Sequence, residues 1–127
     1  MSQLKPSNIQ WHKKTRRLSV QFDQQEFQLP FEYLRVYSPS AEVQGHGPGQ
    51  ETLVSGKRFV DLTDIEPVGN YAIKLVFDDG HDSGLYTWEY LFQLGNEYQQ
   101  NWQNYLKKIA DHGLQREQVD LHIINLS

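Results

Sequence analysis

The stretch YAIKLVFDDGHDSGLYTWEYLFQLG, residues 71–95, decides how the chain is read. Tyr71, Ile73, Leu75 and Phe77 alternate with Ala72, Lys74 and Val76, the period of a strand with one buried face. Asp79-Gly80 lies inside the polar run DDGHDSG and marks a hairpin turn, after which Leu85 to Thr87 pairs back. The period then changes. TWEYLFQLG reads as a helix with Thr87 as its N-cap and Gly95 as its stop. Strand, turn, strand and helix in one short run predict an α+β fold.

Upstream, Ile65 and Val68 belong to another strand, closed by a turn at Gly69-Asn70. The beginning, NIQWHKKTRRLSVQFDQQEFQLP, predicts a β meander. Ile9 and Trp11 alternate with polar neighbours, and so do Leu18, Val20 and Phe22. Pro30 removes a ladder donor and ends the third strand. Phe31, Leu34 and Tyr37 then fall at helical spacing, which predicts a short helix stopped at Ser38-Pro39. Residues 40–59 hold four glycines and a proline and predict a long loop. Downstream, Tyr98, Trp102, Tyr105, Leu106 and Ile109 share one helical face, so residues 96–112 predict an amphipathic helix between Asn96 and Gly113. Its stripe is core material. The expected fold is a mostly antiparallel, twisted sheet of about six strands, with this helix packed on one face. Trp11, Val20, Phe22, Ile73, Leu75 and Phe77 form the sheet side of the core, closed by Trp88 and Leu91.

The 127 residues suit one domain, residues 1–127, with a core over 8–113 and a tail over 114–127. In the tail Val119, Leu121 and Ile123 alternate, which suits an edge strand, a cover over the sheet, or a strand that pairs with a second chain. Monomer and homodimer both remain open. A hydrophobic fraction of 38%, with 13% aromatics, is too high for a disordered chain. The chain has no cysteine, which excludes disulfides, thiolate metal sites and thiol nucleophiles. It shows no signal peptide and no apolar run near the ~20 residues of a membrane span, so a cytoplasmic protein without a membrane partner is expected. The net charge of −4 argues against a nucleic-acid partner. The one basic cluster, HKKTRR at 12–17, reads as a solvated hairpin turn or as a patch for an acidic partner.

The run DDGHDSG raises the question of chemistry. Ser83 lies two residues from His81, but alternate residues of a hairpin seldom converge and no nucleophile elbow is present. GHGPGQ lacks the Lys-Ser/Thr of a phosphate loop. A metal site from His81, Asp78, Asp79 and His46 remains a candidate, on the pattern of two histidines with a carboxylate. Catalysis by the chain alone is not expected, because no nucleophile, base and orienter are recognisable together.

LRVYSPSAEVQGHG and IEPVGNYAIKLVFDDGHDSGLYTWEYLFQLG, with the alternating beginning, resemble the gamma-butyrobetaine hydroxylase-like N-terminal domain family over residues 8–113. In that family the domain occurs alone, in front of a 2-oxoglutarate oxygenase domain, or joined to P-loop iron–sulfur carriers. The resemblance implies a structural zinc module in the eukaryotic hydroxylases, held by three cysteines and the histidine of a DGH turn. Here those positions read Ser38, Ser40, Val43 and His81. The resemblance therefore implies a lost zinc site, no cofactor, and a bond from His81 to Ser38 or Ser40 that pins the loop to the hairpin. It also implies a non-catalytic accessory or protein-interaction domain linked to iron–sulfur protein assembly, with a P-loop iron–sulfur carrier as partner. Arg35, His46, Asp79, His81 and Ser83 are the interaction candidates. The alternative is a metal- or small-molecule-binding module related to the zinc domain of those hydroxylases.

Overall fold

The computed structural model describes residues 4–45 and 51–117. His46 and the part of the tail that carries Val119, Leu121 and Ile123 lie outside the described residues. The chain is α+β, and its six strands divide between two antiparallel sheets of three. The first sheet is a meander of β1 (Asn8–His12), β2 (Arg17–Phe22) and β3 (Gln25–Pro30). Its register sets Trp11 opposite Leu18 and Leu18 opposite Leu29. Arg16 and Asp23 close its two turns with φ of 54° and 46°, a left-handed conformation that side chains other than glycine adopt at some cost.

Pro30 then fixes an extended entry into α1 (Phe31–Val36), followed by the single turn α2 (Ala41–Gln44). The second sheet is β4 (Leu62–Val68), β5 (Ala72–Phe77) and β6 (Leu85–Thr87). Lys74 faces Leu85 across the ladder, so β5 runs on past its pairing with β6 and residues 78–84 return in a wide bend rather than a tight hairpin. Pro67 sits on β4, at the sheet edge, where a missing donor is tolerated.

The two sheets share one core. Leu18, Val20, Phe22 and Leu29 meet Ile73, Leu75, Phe77 and Tyr86, with Phe31, Tyr33 and Leu34 of α1 between them. Helix α3 (Trp88–Asn96) seals it through Leu91 and Leu94. Trp11 and Trp88 are only partly buried and pack at its margin. Thr87 caps α3, its hydroxyl accepting the Tyr90 N–H at 3.1 Å. Gly95 does not stop α3. It lies in the last turn of the helix, where a Cβ would run into the Phe27 ring, so only glycine lets the helix approach β3 this closely.

Helix α4 (Tyr98–Asp111) starts from Glu97, not Asn96, and ends before Gly113, whose φ is 66°. Its apolar face is buried, and what it covers is α1 and the 53–54 segment. Tyr105 and Ile109 join Val36, flanked by Leu53 and Val54. Hydrogen bonds fix this contact: Tyr37 Oη donates to Asn101 O at 2.8 Å, and Asn101 Nδ2 donates to Tyr33 Oη at 3.0 Å. Arg116, just past the helix, reaches back to the buried Glu32 of α1 with Nη2 to Oε1 at 2.7 Å and Nε to Oε2 at 3.0 Å. Its guanidinium also lies over the Trp102 ring. None of the described helices is long and apolar enough to cross a membrane.

Candidate functional site

The 78–84 bend turns His81 inward. Gly80 takes a φ of 89°, and Asp79 Oδ1 accepts the His81 N–H at 3.1 Å, an Asx-type turn. The His81 carbonyl accepts Phe77 N–H at 3.0 Å. The imidazole, in a residue only 5% exposed, packs on Phe77 and meets three side chains from the 38–42 segment. Nε2 lies 2.8 Å from Ser38 Oγ and 3.3 Å from Ser40 Oγ, and Nδ1 lies 3.2 Å from Glu42 Oε2. Ser83 Oγ donates to the other Glu42 oxygen at 3.2 Å. Because an ionised Glu42 only accepts, Nδ1 carries the proton, and Nε2 accepts from Ser38. Ser38 Oγ in turn accepts the Ser40 N–H at 3.3 Å.

Electrostatics agree with a neutral ring. Burial pushes the His81 pKa below its ordinary value of 6.5, the positive Arg35 acts in the same direction, and Glu42 opposes both. Asp79 is the opposite case. Burial alone raises a carboxyl, but hydrogen bonds from Lys57, the His81 N–H and Arg35 outweigh it and hold Asp79 at about 2. Lys57 Nζ and Arg35 Nε contact the same Oδ2 at 2.6 and 2.8 Å. The cluster thus ties α1, the 38–42 segment, residue 57 and the β5–β6 bend together.

Ser38, His81 and Glu42 follow the order nucleophile, base, orienter. The sequence reading paired His81 with Ser83, which instead bonds Glu42. Chemistry at Ser38 is blocked by packing. Ser38 is fully buried, and a Cβ at Gly84 would lie 2.5 Å from its oxygen and 3.2 Å from Pro39 Cδ and Tyr86 Cε1. No carbonyl group can reach a hydroxyl covered this closely. The arrangement works as a polar lock between loop and hairpin.

The same residues do not fit zinc. Ser38, Ser40 and His81 do come together, and Val43 is buried, but the set offers one nitrogen, two neutral hydroxyls and a valine. The one nitrogen that faces them, Nε2, already accepts from Ser38. The alternative set does not converge either. Asp78 Oδ1 accepts the Asp61 N–H at 3.0 Å, Asp79 is engaged by two cations, and His46 is outside the described residues. Among the described residues no three of His, Asp and Glu converge as metal ligands. The sequence reading missed Glu42 and Lys57, which carry no local motif, and Gly84, which stands out only against Ser38.

Residues 9–92 match the family described as gamma-butyrobetaine hydroxylase-like, N-terminal. The chain belongs to that family. Its fold matches two NMR solution structures. One is 44% identical with a TM-score of 0.82, over 99% of this chain and 100% of that one. The other is 43% identical with a TM-score of 0.78, over 99% and 96%. A crystal structure from Acidithiobacillus ferrooxidans, of a protein with unknown function in the DUF971 family, is 37% identical with a TM-score of 0.60, over 72% of this chain and 92% of that one. No curated protein matches the chain. These three solved chains align over 92–100% of their own lengths, so each holds little besides this fold.

Proposed function

We propose that the chain is a non-catalytic protein-interaction domain that serves iron–sulfur protein assembly by binding a P-loop iron–sulfur carrier. One observation carries the non-catalytic part: the single hydroxyl–imidazole–carboxylate array among the described residues is sealed, with Ser38 fully buried and each imidazole nitrogen already bonded. A working triad makes the same mutual bonds, so it is the cover over Ser38 from Gly84, Pro39 and Tyr86 that leaves no room for a substrate. The family's habit of joining this domain to iron–sulfur carriers supports the choice of partner. With no cysteine, the chain supplies no thiolate to a cluster, so its contribution is to touch the carrier or its client.

The test has two arms. A fluorophosphonate probe that labels exposed, activated serines should leave Ser38 unmodified in the folded protein, and labelling at Ser38 would refute the non-catalytic reading. Titration of purified P-loop iron–sulfur carrier into the chain should give saturable binding. Its absence, together with normal iron–sulfur enzyme activity in a deletion strain, would refute the choice of partner.

A further inference from the structure

A second region differs from the lock in every respect. Lys13, Lys14, Arg16 and Arg17 are all exposed at the β1–β2 turn, and none lies within ion-pair distance of a carboxylate among the described residues. In a chain of net charge −4, four neighbouring cations with no ion-pair partner among the described residues are a local reversal of sign. Phe59 stands beside Arg16, 62% exposed, more than any other large apolar side chain described, while Lys13 Nζ lies 4.6 Å from the centre of the Trp11 ring. The guanidinium of Arg16 lies 5.9 Å from the centre of its ring and that of Arg58 5.6 Å. Arg58 is partly neutralised by Glu117, at 2.6 Å.

The turn is held in this arrangement against backbone preference. Arg16 has a φ of 54°, a position where glycine or asparagine is the unstrained choice, and its carbonyl is fixed by the Phe31 N–H at 2.9 Å. A guanidinium stacked on an aromatic ring keeps its in-plane donors free for a carboxylate. An exposed aromatic beside arginine is also the composition of an interface centre.

Resting on the reading of this chain as an interaction domain, we infer that Phe59 with Arg16, Lys13, Lys14 and Arg17 is its docking surface, and that the occupant is a protein segment presenting carboxylates next to an apolar side chain. The patch attracts carboxylates and phosphates alike, but the chain's overall charge of −4 opposes a long polyanion more than a segment with a few carboxylates, and guanidinium groups already occupy the Phe59 ring against which a base would stack.

The experiment uses the full chain, labelled with nitrogen-15, and a synthetic peptide alternating glutamate with phenylalanine and leucine. Amide shifts should move at 13–17 and 58–60, and binding should weaken as salt rises. R16G relieves the strained backbone, so it should fold at least as well as the parent yet bind the peptide about tenfold more weakly. F59S should do the same without loss of fold, since the ring is mostly in water. Shifts elsewhere, or unchanged binding by both variants, would overturn the assignment. So would tighter binding of a single-stranded oligouridine than of the peptide. The carrier titration separates the two claims. Carrier binding that R16G and F59S leave intact removes this surface while sparing the proposed function, whereas peptide binding at this surface without carrier binding removes the partner alone.

Discussion

Replacing Gly84 with alanine adds a single methyl group, and the lock predicts a large effect from it. Gly84 has no left-handed φ, so alanine meets no backbone penalty and the test is steric. The new Cβ would lie 2.5 Å from Ser38 Oγ, while ordinary contact begins at 3.4 Å. Ser38 must therefore retreat by about 0.9 Å, and its 2.8 Å bond to His81 leaves hydrogen-bonding range unless the ring follows. The ring is held by Glu42 and Phe77, so it cannot follow freely. Overpacking of a buried site costs about 1–3 kcal/mol. Ser40 Oγ, at 3.3 Å, stays within reach of Nε2, so losing the Ser38 bond adds only about 0.5–1.5 kcal/mol, and the gain from reduced unfolded-state freedom returns about 0.4–1 kcal/mol. G84A should lower unfolding free energy by about 1–4 kcal/mol in urea titrations with an unchanged m value. The double variant S38A/G84A removes the struck atom, so it should be clearly more stable than the sum of the two single losses. A G84A protein within about 0.5 kcal/mol of the parent, or strict additivity with S38A, would refute the geometry on which the lock rests.

Two further perturbations bear on the same framework. His81 has a folded pKa below 6.5, so the unfolded chain binds more protons over that window and stability rises with pH. The contribution is complete above about pH 6.5 and is lost as pH falls through the lowered pKa. Urea midpoints between pH 4.5 and 7.5 should show this slope, and H81Q should flatten it. Asp79, held at about 2, titrates below that window. Arg116→Ala leaves the buried Glu32 carboxylate without its bidentate partner and uncovers Trp102. Because Arg116 is itself one-third exposed, water recovers part of the loss. The expected destabilisation is about 2–3 kcal/mol, below the range for a fully buried pair, and a loss under about 1 kcal/mol would show that the pair is screened.

Local structure was legible wherever one face of an element is buried. The alternation of Ile73, Leu75 and Phe77 predicts β5, and the stripe of Tyr105 and Ile109 predicts α4, because burial imposes a period on the side chains. Period does not say what lies opposite. It reports six strands without reporting that they divide into two sheets, since that depends on where α1 and the loop carry the chain. It likewise marks the buried face of α4 without naming α1 as the surface beneath it. Gly95 was misread because a glycine at a helix end and a glycine under an aromatic ring look the same in sequence.

The site shows the same division. His81 with Ser38 and Ser40 was expected from the resemblance, and both contacts are present. Glu42 and Lys57 could not be found, because each meets its partner only through the fold, across more than 20 residues of chain, and neither sits in a spacing that chemistry requires.

The physical consequence of the lock lies in α2. A helix of four residues cannot hold itself together, since nucleation is unfavourable and too few bonds follow to offset it. Its N-cap, Ser40, makes no side-chain capping bond, because the hydroxyl is turned to His81. The position of the 38–44 segment therefore depends on the bonds of Ser38, Ser40 and Glu42 to the imidazole and on the burial of Val43. A metal tie at this place would stiffen the segment and make it sensitive to chelators. A tie of hydroxyls and one neutral ring makes it sensitive to protons instead, and leaves the exposed cations near Phe59, which the lock does not touch, as the groups available to a partner.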